Sequence, residues 1–466
     1  MKVNIDERNI MNLFEAYKNR LSIAESVYSK ANGGAKLDHN RKLVTAKGIE
    51  NINRFMNEAF DASQGTQRTD MGLFKKFTLN LTTVTLPNLI AHEIAIVHPM
   101  SSMSGYITYI EYSIGNSKGA TAAGTVTNST FKLGDVDANY TSAQVVTEAK
   151  TATGVTGDYT ATLKWRPIVT GSVEIINGNK TFVDNEGKLY LAADTTFTTQ
   201  KGTIDYDTGD VKISEGEYNT ATAVFVNYVY NNVVIPQNEL PTLKAEMKSI
   251  ALVAKARRIA IYYSQMAAFQ SKTDYGMDLG DQLAEKAVSE LSYEIDTEVT
   301  NLLVTNATEP ADGTTVWSKT LPVGVSKRDH YCGFTEVLEI AKQKIYDATK
   351  KFTPNFMLIA SDILPVLSMI DGFKANPAAS VNGPYFAGTL SGLKVFVTPN
   401  ITAGTFVVGV NGSDAMSAAC VYAPYMAIVP TQLLQFADGG TSSGWSTLYD
   451  LKMLNPLLVV KGRVTA

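Results

Sequence analysis

Few residues in this chain of 466 could carry chemistry, and their spacing argues against most of it. His92-Glu93 with His98 is the nearest approach to a zinc-protease motif. That motif needs the second histidine four residues after the first, and here the gap is six. The stretch reads as a strand, which would set both histidines on one face beside isoleucines. Cys332 follows His330-Tyr331, but a thiol nucleophile needs a base in space and a third group to orient it. The acidic loop DYDTGDV (205–211) lacks the twelve-residue calcium pattern and reads as a hairpin turn at Thr208-Gly209. GVNGSDA (409–415) lacks the nucleophile-elbow spacing and reads as a hairpin loop. Neither GxxxxGK[ST] nor GxGxxG occurs. Carboxylates at helical spacing between 281 and 298 could pose as an acid/base pair, though a solvated or partner-facing helix surface is the commoner arrangement.

Composition narrows the classes further. The chain has four histidines and two cysteines, Cys332 and Cys420, so neither a disulfide framework nor a four-thiolate zinc site is available. The 41 Lys+Arg against 45 Asp+Glu give a net charge of −4, which argues against a general coater of nucleic acid. No apolar run is long enough for a transmembrane helix, and the charged N-terminus lacks the apolar core of a signal peptide. No cofactor, metal or membrane is expected. A cytoplasmic structural protein is.

The elements change character along the chain. Residues 1–62 read as helical, with Ile10, Leu13, Phe14 and Tyr17, and then Ile49, Ile52, Phe55, Met56 and Phe60, at helical spacing around a break at Gly33-Gly34. A polar linker follows from Asp61 to Asp70. Residues 71–118 read as β-rich. Residues 119–235 carry 8 basic and 13 acidic residues and a succession of short strands between turn signals, the pattern of an inserted β-sandwich or barrel. Between 240 and 275 a basic element holds Lys244, Lys248, Lys255, Arg257 and Arg258, and IALVAKARRIAIYYS reads as one long strand with Ile259, Ile261 and Tyr263 on one face. Residues 277–304 form a long helix, on the order of 40 Å, with Leu283, Leu291, Ile295 and Val299 on one side. Its other face is acidic: Asp281, Glu285, Glu290, Glu294, Asp296 and Glu298. The last third mixes helices and strands. Phe334–Lys350 reads as amphipathic, Asn355–Ala360 as a buried strand, and Ser361-Asp362 as the cap of a helix reaching Ile370. LKVFVTP, TFVVGV, AACVYAPYMAI and LLVVKGRV follow as strands, so the class is α+β.

The order of these pieces resembles the major capsid protein of tailed phages with the Hong Kong 97 fold, in its larger T-even and jumbo-phage form. VHPMSSMSGYITYIEYSIGN resembles the outgoing strand of that family's extended loop. LPTLKAEMKSIALVAKARRIAIYYSQMAAF resembles the return strand, with Ala254-Lys255-Ala256-Arg257 in place of its Ala-Lys-x-Arg. YGMDLGDQLAEKAVSELSYEIDTEVTNLLV is similar to the spine helix, with Glu294-Ile295-Asp296-Thr297-Glu298-Val299 at its centre. Tyr422-Ala423-Pro424-Tyr425 matches the family's C-terminal block. The likeness covers about 85–118 and 240–466. It implies an N-terminal arm (1–75), a peripheral strand and extended loop (76–118 and 236–275), an inserted domain (119–235), and a spine helix, axial domain and peripheral strands (276–466).

The function implied is a non-enzymatic head subunit that self-assembles into hexamers and pentamers around double-stranded DNA. Its partners would be portal, scaffold, vertex or decoration proteins, with DNA touched non-specifically on the inner surface. The place would be the virion, assembled in the bacterial cytoplasm. A tail-sheath subunit or another polymerising virion protein is the alternative. Family members often lose an N-terminal segment after a (Leu/Ile)-x-Glu pattern, which Leu13-Phe14-Glu15 and Ile23-Ala24-Glu25 fit. A basic strand and an acidic helix on one chain can pair between subunits. Lys244, Lys248, Lys255, Arg257 and Arg258 are therefore expected against Asp281, Glu285, Glu290, Glu294 and Glu298 of a neighbour, or in part against DNA.

Overall fold

The computed structural model describes residues 7–31, 36–61, 89–129, 139–150, 157–219, 222–233, 240–277, 279–376, 384–412, 414, 417–430, 434–436 and 439–465. The Gly33-Gly34 break, the linker after Asp61, the start of the β-rich stretch and part of the 409–415 loop lie outside them. The chain divides into two compact units: Met1–Tyr109 with Ser249–Ala466, and Ile110–Lys248.

The first unit begins with helices α1 (Glu7–Ala16), α2 (Lys18–Ala31) and α3 (His39–Asp61). Ile49 and Ile52 of α3 are fully buried. The side chains of Phe55, Met56 and Phe60 are outside the described set. Ala24 and Tyr28 of α2 make a small core with Leu37. Next come a single helical turn α4 (Ala91–Ile94), β1 (Ile96–Val97) and β2 (Ser104–Ile114). His92 and Glu93 thus sit on a helix, where a strand was expected, and His98 lies past β1. Two histidines on different elements share no strand face.

The second unit holds β3 (Val126–Ser129), β4 (Gln144–Lys150), β5 (Tyr159–Thr162), β6 (Glu174–Asn177), β7 (Lys180–Asn185), β8 (Lys188–Leu191), β9 (Gly202–Ile204), β10 (Asp210–Ile213) and β11 (Val224–Val229). Eight of them form one sheet in the order β4-β11-β6-β7-β8-β9-β10-β5. Its strand pairings are all antiparallel. Turn chemistry fixes the register. Glu186 and Gly187, at φ 50° and 85°, form the two-residue turn between β7 and β8, the left-handed pair that matches strand twist. At the ends of the sheet, the Lys150 amine of β4 reaches across to the Thr162 carbonyl of β5 at 2.6 Å, with no strand pairing between the two edges among the described residues. Trp165, Phe182, Tyr228 and Tyr230 fill the interior. Lys118 is buried too. Its amine donates to the carbonyls of Asn139 and Tyr140 at 2.9 and 3.0 Å and lies over the Trp165 and Tyr230 rings, which satisfies the charge. The unit runs from Ile110 to Lys248, wider at both ends than the 119–235 marked by composition.

After β12 (Leu243–Val253) and β13 (Lys255–Ser264) come α5 (Gln265–Tyr275), α6 (Leu279–Asn306), β14 (Val316–Ser318), α7 (Lys327–Cys332), α8 (Phe334–Thr349) and β15 (Phe356–Ala360). The long strand read from 250 to 264 is therefore two, divided at Ala254. Then follow α9 (Leu364–Leu367), β16 (Lys374–Ala375), β17 (Tyr385–Leu390), β18 (Leu393–Thr398), β19 (Thr405–Gly409), β20 (Cys420–Pro430), β21 (Leu434–Gln435), β22 (Gly440–Met453) and β23 (Val459–Thr465).

A mixed seven-stranded sheet, β14-β23-β19-β15-β18-β17-β16, is the centre of the first unit. Every residue of β15 and β19 is buried. Helix α8 buries Phe334, Leu338, Ala341 and Ile345, each large side chain contributing about 1.5–3 kcal/mol of transfer free energy. One expectation fails here, and one element comes without a sequence signal. Ser361-Asp362 caps no long helix: α9 is one turn with Pro365 near its start, and the Asp362 carboxylate instead accepts from the Gly404 amide at 2.8 Å. The Gly/Ser/Thr-rich stretch GTSSGWSTLYDLKM, unassigned from sequence, is β22, the longest strand described, paired on one side with β20 and on the other with β13.

Candidate inter-subunit surface

Strand β13 closes one side of the sheet β1-β20-β22-β13. It pairs with β22 over ten residues, Lys255 opposite Tyr449 through Ser264 opposite Gly440. Alternation does the rest. Ile259 and Ile261 turn to α6 and pack on Ala284, Ala287, Val288 and Leu291 with Trp445 and Ile428. Ala256, Arg258, Ala260 and Tyr262 turn the other way and are exposed. Beyond β13 the sheet has no further strand among the described residues.

Arg257 points to the α6 side. Its Nε donates to Glu298 Oε1 at 2.9 Å and its Nη2 to Glu298 Oε2 at 3.1 Å. Its guanidinium lies 5.3 Å over the Tyr449 ring, and Tyr449 donates its hydroxyl to the same carboxylate at 2.9 Å. Glu294 is 4.0 Å away. The strand-to-helix pair expected between subunits is thus made inside one chain for Arg257, Glu294 and Glu298. The cause is that α6 lies directly on the face to which Arg257 points. Lys248 is also taken, by Glu111.

The rest of the set stays open. Lys244, Lys255 and Arg258 are exposed, as are Glu285 and Glu290 of α6, and none has an ion pair among the described residues. The side chain of Asp281 is outside the described set. Of the two cleavage candidates, Glu15 is exposed on α1, and Glu25 on α2 holds Lys42 of α3 at 3.2 Å.

Asp296 was read as part of the acidic face and is in fact buried. Its spacing to Val299 and Leu303, three and seven residues on, already put it on the apolar side of α6. Its carboxylate accepts from the Ala91 amide at 3.0 Å and from the Ile90 amide, at the start of α4. Burial pushes its pKa up to about 7, against those hydrogen bonds. Glu93 of the same turn binds both Arg41 of α3 and Lys394 of β18. Asp296 therefore holds the turn that ties α3 to the central sheet.

Helix α5 was also missed. It lacks an apolar repeat, and its signals are terminal. The Ser264 hydroxyl accepts from the Ala267 amide at 3.2 Å, and Gly276 ends the helix in the left-handed region at φ 65°. Cys332 is half-buried, and His330 stacks on Trp317 with Nε2 2.9 Å from the Ser318 carbonyl oxygen. That places its imidazole in a packing role. The described residues contain no group of three or more His, Cys, Asp or Glu that could hold a metal ion.

Residues 71–463 match the family model of the major capsid protein Gp23. The chain belongs to that family. It is a structural family of the phage head. Its relatives include the major capsid proteins of Enterobacteria phage T4, 24% identical over 80% of this chain and 73% of that one, and of Enterobacteria phage T6, 24% identical over 80% and 76%. The match to the major capsid protein of Vibrio phage KVP40 is 24% identical and spans 47% of this chain and 46% of that one. Among solved structures, the capsid of Myoviridae phage XM1 aligns at 8% identity and a TM-score of 0.35, over 50% of this chain and 80% of that one. The virus-like particle from Pyrococcus furiosus aligns at 15% identity and a TM-score of 0.30, over 46% and 79%.

Proposed function

We propose that the chain is the shell subunit of an icosahedral phage head with the Hong Kong 97-type fold, assembling as hexamers and pentamers around packaged double-stranded DNA, and that it catalyses no reaction. In this reading α1–α3 form the N-terminal arm, β2 and β12 the extended loop, α6 the spine helix, the seven-stranded sheet the axial domain and the β13-bearing sheet the peripheral domain. Portal, scaffold and decoration proteins are its partners, and assembly takes place in the bacterial cytoplasm.

The observation that carries the reading is the exposure of β12. Ten of its eleven residues lie outside the buried class, and Leu243, Met247 and Val253 are 65, 70 and 55% exposed. Among the described residues it belongs to a ribbon of three strands, β12-β2-β3. A ribbon with so little packed on it is marginal in water and an aggregation hazard unless neighbours cover it. In a closed shell, identical copies would do so. The unpaired Lys244, Lys255 and Arg258 and the unpaired Glu285 and Glu290 would then supply register between subunits. The sequence likeness of residues 71–463 to a capsid family supports the same reading.

Electron microscopy and light scattering of the purified chain, with its scaffold supplied, test it. Rings of five or six or closed shells are expected. Tubes would assign the chain to a tail sheath. A persistent small oligomer with scaffold present would refute the shell reading.

A further inference from the structure

Helix α4 is a single turn, yet several elements of the first unit meet on it. From α6, the Asp296 carboxylate accepts from the Ala91 amide at 3.0 Å and from the Ile90 amide. The Glu93 carboxylate of α4 binds Arg41 of α3 and Lys394 of β18. The Glu93 and Ala95 carbonyls accept from the Asn411 side-chain amide at 2.9 and 3.4 Å. Helix α3 is held in two ways. Near its start Arg41 reaches α4. Further on, Asn51 Nδ2 donates to the Met100 carbonyl at 2.8 Å and to the Tyr425 carbonyl at 2.7 Å, a hold that does not run through α4.

Of the two carboxylates at this junction, Glu93 has two cations against it and Asp296 has none among the described residues. Asp296 is only 8% exposed. A buried carboxylate without a cation is costly, so the group is driven toward its neutral form and keeps a proton up to about pH 7. Its neighbours on the surrounding elements behave differently. Tyr422 of β20 lies within its electrostatic reach, and burial keeps that phenol protonated across the neutral range. Tyr449 of β22 donates to Glu298 of α6. Arg257 of β13 and Arg463 of β23, on strands packed against α6, are bound by Glu298 and Glu309. His92 of α4 packs its ring edge-on against Tyr422, 6.4 Å between centroids. His98, past β1, is pushed by burial toward its neutral form, so it would weaken the junction as pH falls, the opposite sense. We propose that Asp296 is a proton-operated latch for the start of α3. While the carboxyl holds its proton, α4 stays seated on α6 and presents Glu93 to Arg41. When the proton leaves, α4 opens so that water reaches the charge, and Glu93 no longer holds Arg41, while Asn51 keeps the rest of α3 in place. This does not depend on the shell-subunit reading.

Hydrogen exchange of the full chain, corrected for the intrinsic rate at each pH, tests the latch. The closed turn holds a proton that the opened turn has released, so opening grows as pH rises toward 7 and levels off above it. From pH 5 to pH 7, protection at residues 90–95 and 43–47 should fall at least tenfold. A local opening exposes little surface, so this exchange should barely respond to urea below the melt, whereas residues 50–53 should respond to urea as β15 does. Asp296→Asn should abolish the pH step, and His92→Gln should keep it. Arg41→Gln should keep the step at 90–95 and lose it at 43–47. Absence of the step in the unaltered chain, or a step that follows urea as β15 does, would overturn the latch without any variant. A step retained in Asp296→Asn, or lost in His92→Gln, would overturn the assignment to Asp296. A step persisting at 43–47 in Arg41→Gln would overturn the link from Glu93 to α3.

Discussion

The two sheets that bear most directly on the proposed function differ in what surrounds their edges. In the Ile110–Lys248 unit the sheet runs from β4 to β5, one lysine side chain reaches from the first edge strand to the other, and an aromatic core fills the interior. In the other unit β13 ends its sheet with nothing beyond it among the described residues, and α5 continues that edge with Met266 and Phe269 in solvent. A strand edge with no strand beside it leaves backbone groups that another chain can pair with. The difference teaches that the Ile110–Lys248 unit packs an aromatic core of its own, whereas on the proposed shell reading the β13 side is where neighbours would add contacts.

Four changes would break or sharpen that contrast. The largest effect is expected inside the insert. Phe182 is fully buried, and Phe182→Ala should cost about 3–5 kcal/mol in that unit. Amide exchange should show the loss confined to strands β4–β11 while β15 and β19 stay protected. Equal loss in both units would mean that they fold as one.

The next effect is a pH dependence in the first unit. The Asp296 carboxyl titrates near 7 in the folded chain against an ordinary 3.8, because burial disfavours its charge. Between those values the folded state holds a proton that the unfolded state has released. The group's contribution to stability is therefore full below about pH 4 and is lost as pH rises through 7, by roughly a few kcal/mol. Asp296→Asn keeps an acceptor for the Ala91 amide and carries no charge. Urea melts at pH 5 and pH 8 should differ less for this variant than for the unaltered chain. An identical pH response in the two would contradict the assignment.

A smaller effect is expected from Arg257→Ala. Arg257 and Glu298 are 30 and 32% exposed, so the loss should be about 1 kcal/mol of stability, read from the same melts. The smallest stability effect is expected from Lys255→Glu/Arg258→Glu, within about 0.5 kcal/mol, because these side chains form no ion pair among the described residues. On the proposed reading Arg257 would act on folding, and Lys255 and Arg258 on assembly. Reversal of that order would remove the distinction drawn between them.

What could be read from the sequence follows how much each element states locally. The alternation of Ile259, Ile261 and Tyr263 announced β13, and the turn at Thr208-Gly209 sits between β9 and β10 as its residue types suggest. Strand β22 gave no such sign. Ser442, Gly444 and Ser446 lie opposite Tyr262, Ala260 and Arg258, and Gly440 lies under the Tyr262 ring, so small residues are chosen there by close neighbours rather than by strand preference. Asp296 misled because its charge outweighed its spacing. The basic and acidic groups were visible one by one, but which of them meet within the chain depends on α6 lying over β13, a long-range contact that no local pattern encodes.

Hydrogen exchange on free subunits and assembled particles addresses the central claim most directly. Residues 255–277, covering β13 and α5, should gain at least tenfold protection on assembly, while the insert core around Phe182 and Tyr228 changes little. Unchanged exchange at 255–277 in well-formed particles would contradict the account.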